Sequence, residues 1–278
     1  MKKIVLAVFG FFVAVFLAAC GGDKATSVST IEQIKKNGVV RIGVFGDKPP
    51  FGYVDEKGLN QGYDIVFAKR IAKELLGDES KIDFVLVEAQ NRVEFLKSNK
   101  VDIILANFTQ TPERSQQVDF TLPYMKVSLG VVVPDNSNIS NVDDLKGKKI
   151  LVNKGTTADA FFTKNFKDIE LSKYDQNTET FAALKDDRGD ALSHDNTLLF
   201  AWAKENPGFK VVIAELGDKD VIAGAVAKGN TELKQFIDNL IVKLADEQFF
   251  HKAYDATLKN AFTDNINPED VVIEGGKL

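Results

Sequence analysis

The sequence predicts an α/β protein built as two similar lobes. Three observations point there. The chain has 278 residues, 44% hydrophobic and 27% charged, an ordinary make-up for a folded protein and enough length for two cores. Between residues 39 and 106, β-rich runs alternate with helical ones, the order of a mostly parallel sheet with helices on its faces. The same order returns between residues 150 and 203.

The body opens with Thr30-Ile31-Glu32-Gln33-Ile34, a short capped helix. Val39 to Phe45 is a β-rich run, broken by Gly46-Asp47-Lys48-Pro49-Pro50. Gly62 to Leu76 carries Ile65, Ala68, Ile71, Ala72 and Leu75 at helical spacing, and Gly77-Asp78 ends it. A strand at Ile82–Val87, a short helix at Val93–Leu96 and a buried strand at Val101–Ala106 complete the first unit. In the second half, strands are expected at 150–152, 171–174 and 190–193, and helices at 157–166, 181–184 and 197–203. Met125–Val133 and Val221–Ala227 read as strand-like runs that link the lobes, so the first lobe is discontinuous: 30–124 plus 221–278, around 125–220. Thr231–Leu244 is an amphipathic helix returning to it (Leu233, Phe236, Ile237, Leu240, Ile241, Leu244).

A weaker echo joins the halves. Leu96-Lys97-Ser98-Asn99-Lys100-Val101-Asp102 parallels Leu184-Lys185-Asp186-Asp187-Arg188-Gly189-Asp190, and five residues past each aspartate sit Asn107 and Asp195. Two matching units would place polar residues on facing strand tips, where open α/β sheets bind ligands. Chance likeness between two helix–turn–strand segments is the competing reading.

The N-terminus is different in kind. Met1-Lys2-Lys3 is a basic start, and Ile4 to Ala19 carries no charge. A bilayer span needs about 20 apolar residues, so residues 1–19 read as a secretory signal rather than a permanent helix. The run ends in Leu17-Ala18-Ala19-Cys20. This resembles the lipobox of bacterial lipoproteins, which implies acylation of Cys20, with residues 20–29 as a tether. An ordinary signal peptide with a chance cysteine is the alternative. A lipid anchor places the body in the periplasm or on the cell surface, where ATP and nicotinamide cofactors are scarce.

Composition narrows the chemistry. A net charge of −5 offers no footprint for a phosphate backbone, so no nucleic acid is expected. One cysteine forms no internal disulfide, and with two histidines it makes a poor zinc or iron–sulfur set. No metal and no cofactor are expected. His194 and His251 are the only imidazoles, and Ser193-His194-Asp195 is no catalytic triad, because adjacent residues of a strand do not face one another.

The richest segment is Asn107-Phe108-Thr109-Gln110-Thr111-Pro112-Glu113-Arg114, at the carboxyl end of a buried strand. Thr111-Pro112-Glu113 starts a helix well. Free amides there favour an anion, and Arg114 one turn in would grip a carboxylate with two hydrogen bonds. A capped helix with a surface arginine is the plainer reading, and for Asp195 alone a surface acid or helix cap.

The ordered set Pro50-Phe51, Gly62-Tyr63-Asp64-Ile65-Val66-Phe67-Ala68, Asp102-Ile103, Thr111-Pro112-Glu113-Arg114, Val118-Asp119-Phe120, Pro123-Tyr124, Lys154-Gly155-Thr156-Thr157 and Ser193-His194-Asp195 resembles the periplasmic polar-amino-acid binding proteins of ABC importers. It covers essentially the whole mature chain and is most similar to the cysteine-binding lipoproteins of that family. The resemblance implies a type II periplasmic binding protein fold with a hinge of two crossover strands. The protein would close on one free amino acid, cysteine or another small polar one, and deliver it to an ABC permease, as a monomer and without catalysis. Position by position, Arg114 should hold the α-carboxylate, with the backbone N–H groups of Thr109 and Thr157. Asp195 should bind the α-ammonium, helped by the Thr109 hydroxyl and the Asn107 carbonyl. Phe45, Lys48, Phe51, Arg92 and Phe108 fall at or near the side-chain pocket. An aromatic at Phe45 favours a small or weakly polar ligand, whereas Arg92 pulls toward an acidic or thiolate-like group. Lys48 departs from the aromatic that many relatives stack on the ligand. The rival classes are a cyclohexadienyl or prephenate dehydratase-like enzyme on the same fold, for which no general acid is evident, and an adhesin or sensor.

Overall fold

The computed structural model describes residues 30–263 and 266–277. The signal, Cys20 and tether expected at 1–29 lie outside the described residues. The first flank begins with α1 (Ile31–Asn37) and β1 (Val40–Val44). A small antiparallel sheet of β2 (Asp47–Lys48), β3 (Gly52–Val54) and β4 (Asn60–Gln61) follows. Then come α2 (Tyr63–Leu76), β5 (Ile82–Leu86), α3 (Arg92–Lys97), β6 (Ile103–Ile104) and α4 (Pro112–Ser115). A long strand, β7 (Val118–Pro134), leads to the second flank: β8 (Lys149–Asn153), α5 (Thr157–Asn165), β9 (Glu170–Tyr174), α6 (Asn177–Lys185), β10 (Ala191–Asp195) and α7 (Asn196–Glu205). A second long strand, β11 (Phe209–Ala227), returns to α8 (Thr231–Leu244), α9 (Phe249–Thr257) and α10 (Pro268–Val271).

The main sheet has the order β5-β1-β6-β11-β7-β10-β8-β9. Within the first flank β1 pairs parallel with β5 and β6, and within the second β8 pairs parallel with β9 and β10. The long β7 and β11 run antiparallel to each other and to the flanking strands they join. The sheet is therefore parallel at its two ends and antiparallel in its middle, not mostly parallel throughout. Both long strands start earlier than the runs expected at 125–133 and 221–227. Their pairing shifts register at several points, among them between Ile213, Leu216 and Asp220, and such irregularities blur an alternating pattern. Likewise only Ile103–Ile104 of the expected strand 101–106 pair as strand, although all six residues are buried.

The echo between the halves is a repeated structure. Asn99 and Asp187, at matching places, both take φ 55°, the left-handed turn that joins helix to strand. In each unit the following aspartate clamps the first strand: Asp102 accepts the Arg41 N–H at 2.8 Å and Asp190 the Lys149 N–H at 2.8 Å. Five residues on, each unit ends at a cavity-lining side chain.

Packing explains several motifs of the ordered set. Tyr63 and Phe67 of α2 meet Tyr124 of β7 and Phe250 of α9, with Phe67–Tyr124 centroids 5.3 Å apart and Tyr124–Phe250 stacked at 5.6 Å. All four rings are buried, each contributing roughly 1.5–3 kcal/mol by leaving water. Gly62 caps α2 at φ 119°, where a Cβ would lie 2.4 Å from the Phe51 carbonyl oxygen. Among the described residues no helix is long and apolar enough to cross a membrane.

Candidate functional site

Where the two flanks face one another, Phe45, Lys48, Arg92, Asn107, Thr109, Arg114, Thr156, Thr157, His194 and Asp195 line one cavity. It holds about 190 Å³ of space between atoms. Phe51 and Phe108, expected beside the ligand, are not among its lining residues. Phe51 is fully buried in the main core. Phe108 is a platform: the guanidinium of Arg92 lies 4.3 Å and that of Arg114 4.8 Å from its ring centre, a favourable cation–ring contact.

The first-flank wall is built from inside its own unit. Asn107 follows β6 at φ 42°, unusual for a residue with a side chain. Its N–H donates to Asp64 Oδ2 at 2.7 Å, and Tyr124 donates its hydroxyl to Asp64 Oδ1 at 2.7 Å. Asp64 is thus the hidden post that holds the strand tip. Burial pushes its carboxyl up to about 6, against the pull of the Tyr124 and Asn107 hydrogen bonds. Arg92 donates to the carbonyls of Ala89, Ala106 and Asn107 at 2.9, 3.0 and 3.3 Å. Its charge has no carboxylate in hydrogen-bond reach among the described residues; burial, then the Arg114 guanidinium, push it well below its ordinary value. Thr111 caps α4 by accepting the Arg114 N–H. Arg114 is half-buried, donates to the Thr109 carbonyl at 2.7 Å, and is drawn down to about 10 by burial, with Asp195 and Asp220 acting against that.

The second wall reaches across. The Gly155 carbonyl accepts from Arg92 at 3.3 Å and from Arg114 at 2.9 Å. Gly155 takes φ 73°, and a Cβ there would stand 2.5 Å from the Gln90 Cα of the first flank; close backbone approach requires glycine. The Thr156 hydroxyl caps α5 by accepting the Asp159 N–H, so the first-turn amides of α5, beginning at Thr157, open beside the cavity. Two further bridges join the flanks. Asp47 accepts from the backbone and side-chain nitrogens of Asn177 at 2.7 and 2.9 Å, capping α6 from the opposite side. Gln90 donates to Asp175 at 2.7 Å.

At the centre, Lys48 donates to Asn107 Oδ1 at 2.5 Å and to Asp195 Oδ2 at 2.7 Å. The two tips of the repeated unit therefore meet on one ammonium. Lys48 is 1% exposed and Asp195 4%. Burial lowers Lys48 from its ordinary value, partly offset by Asp195. Burial works against the Asp195 charge as well, but Lys48 outweighs it and holds the carboxyl well below the usual range. The neighbouring His194 is also buried; burial and Lys48 lower it, so the ring is neutral near pH 7. Its Nδ1 accepts the Asp195 N–H at 2.7 Å.

Sequence reasoning missed His194, Thr156, Gly155 and Asp64 as parts of this site. The signal was present, since all four belong to segments already singled out. Arg114 from the first flank, with the α5 amides and Asp195 from the second, places a cationic and an anionic station around one cavity. Among the described residues no cluster of histidine, cysteine, aspartate and glutamate is arranged to hold a metal.

The model of bacterial extracellular solute-binding proteins, family 3, matches residues 40–259. The chain belongs to this family. A solved cysteine-binding protein from Campylobacter jejuni is 74% identical, with 88% of this chain and 98% of that one covered and a TM-score of 0.87. A solved solute receptor for L-cysteine from Neisseria gonorrhoeae is 56% identical, covering 88% and 100%, with a TM-score of 0.87. The ABC transporter glutamine-binding protein of Bacillus subtilis (strain 168) is 33% identical over 269 residues, 93% of this chain and 98% of its own. The two-lobed α/β architecture is that of these receptors. The protein is the solute-binding component of an amino-acid ABC importer, works outside the cytoplasm and is not an enzyme.

Proposed function

We propose that this receptor captures free L-cysteine, or another small polar amino acid, by closing two lobes on it. The observation that carries the reading is that Arg114 of the first flank and the α5 N-terminus and Asp195 of the second line one small cavity. In this reading Arg114 and the amides of Thr109 and Thr157 bind the α-carboxylate. Asp195 binds the α-ammonium through Oδ1 while Oδ2 keeps Lys48, and the Asn107 carbonyl and Thr109 hydroxyl assist. The small cavity and the likeness to a cysteine-binding protein at 74% identity and a solute receptor for L-cysteine at 56% support cysteine over larger amino acids.

The moving bodies are 30–124 with 221–278 and, opposite them, 125–220; the hinge lies where β7 and β11 run between them. Ligand contacts made to both bodies favour the closed arrangement, a population shift set by differential affinity. The closed monomer then docks on the permease. Residues 1–19 direct export and a lipid on Cys20 anchors the chain, with 20–29 as tether.

A thermal-shift screen of the twenty amino acids followed by calorimetry tests this. Cysteine is expected to give the largest shift. Unchanged cysteine binding in Arg114→Ala would overturn the site assignment.

A further inference from the structure

The cavity has more to give to an anion than a plain zwitterion needs. Its lining carries three cations, Lys48, Arg92 and Arg114, and one carboxylate, Asp195. Asp64 stands behind the wall on the far side of Asn107, and Asp220 of β11 faces Arg114 from outside the lining, half-buried. In the reading above, a zwitterion uses Arg114 for its carboxylate and Asp195 for its ammonium. It leaves Arg92 without an anionic partner.

The unpartnered atoms agree. Among the described residues, two of the buried side-chain nitrogens and oxygens that find no hydrogen bond belong to cavity-lining residues: Asn107 Nδ2 and His194 Nε2. Both are donors. Asn107 Oδ1 already accepts from Lys48, so the other end of that amide is the NH₂. His194 Nδ1 already accepts the Asp195 N–H, so the proton of the neutral ring sits on Nε2. A buried donor left without an acceptor costs free energy. Both unpartnered atoms of the lining residues would be satisfied by an acceptor.

We propose, resting on the receptor reading above, that the side-chain half of the cavity takes an anion, so that the amino acid is bound with net negative charge: for cysteine, as the thiolate. Arg92, Lys48, Asn107 Nδ2 and His194 Nε2 form this subsite. The limited space restricts the anionic group to a short side chain. Free cysteine has a thiol pKa of about 8.5, so near neutral pH it arrives mostly as the thiol. On binding, the S–H bond breaks, the electron pair stays on sulfur and the proton passes to the buffer.

Calorimetry of the full chain at pH 7 in two buffers of different ionisation enthalpy, under reductant, counts that proton. Close to one proton released per cysteine is expected, with none for serine or S-methylcysteine in the same site. The ultraviolet absorbance of thiolate should rise as the complex forms. Below the thiol pKa, cysteine affinity should tighten about tenfold per pH unit, and serine affinity should not. In Arg92→Gln, shown to fold by its unfolding curve, cysteine should weaken at least tenfold and serine little.

Cysteine bound with no proton released and no thiolate absorbance would overturn the anionic subsite while leaving the cysteine receptor standing. Equal losses of cysteine and serine in Arg92→Gln would also overturn it. Aspartate bound in place of cysteine, without proton release, would uphold the anionic subsite and remove cysteine as the ligand. Tightest binding of serine or alanine would overturn both.

Discussion

The two repeated units share a frame and differ at the tip. Each has a helix, a left-handed turn at Asn99 or Asp187, and an aspartate clamping the amide of the first strand at 2.8 Å. Yet the first unit ends in neutral Asn107, whose amide is anchored to buried Asp64. The second ends in ionised Asp195, whose amide is taken by the adjacent His194 ring. The first tip is held from within its own flank, whereas the second meets its counter-charge, Lys48, only across the cavity. The repeat supplies geometry, and its two tips supply different chemistry.

The strongest way to break this comparison is to make the tips alike. Asp195→Asn strands Lys48 and removes the ammonium station. A buried pair that loses one partner costs roughly 3–5 kcal/mol, so cysteine binding by calorimetry should weaken on the order of 100- to 4000-fold. A loss under tenfold would show that the second tip is not the ionic one. Next, Asp64→Ala strips the post from the first tip and leaves the Asn107 amide and Tyr124 hydroxyl without an acceptor. With about 1–3 kcal/mol for each unsatisfied group, urea unfolding should show a loss on the order of 3 kcal/mol.

The paired clamps sharpen the comparison. Asp102 is buried and also binds the Arg41 guanidinium at 2.5 Å, whereas Asp190 is exposed. Asp102→Ala should cost about 2 kcal/mol and Asp190→Ala a fraction of that. Equal losses would mean that the shared amide bond, not burial, sets the worth of the clamp.

The smallest effect is a pH slope. Asp64 is raised to about 6 in the fold, above its unfolded value near 3.9, so the native state takes up a proton that the unfolded chain does not. Its contribution therefore favours the fold as pH falls, beginning near 6. Between pH 7 and 5 this adds about 1 kcal/mol, measurable by denaturant midpoints, and Asp64→Asn should remove it.

Much of this was readable in advance. The α2 and α8 spans follow from apolar spacing alone, and the echo located both tips by counting residues. The pieces that escaped were non-local. The small sheet β2–β4 has strands of two or three residues, too short to show a period. The stretch 214–220 carries four charges and Gly217 and shows no alternation, yet it lies within the long β11, whose pairing with β7 shifts register there. Lys48 stood out only as a departure from an expected aromatic, and Gly155 only as part of a motif.

Sequence by itself determined the class of elements, their order, the repeated unit and the residue types at its tips, because periodicity and turn chemistry act over a few neighbours along the chain. Tertiary structure alone decided that Lys48 lies between Asn107 and Asp195, that Phe51 belongs to the core and that Phe108 carries two guanidiniums. Those outcomes depend on contacts between residues up to 147 positions apart, and on which charges lose their water together, which no local pattern encodes.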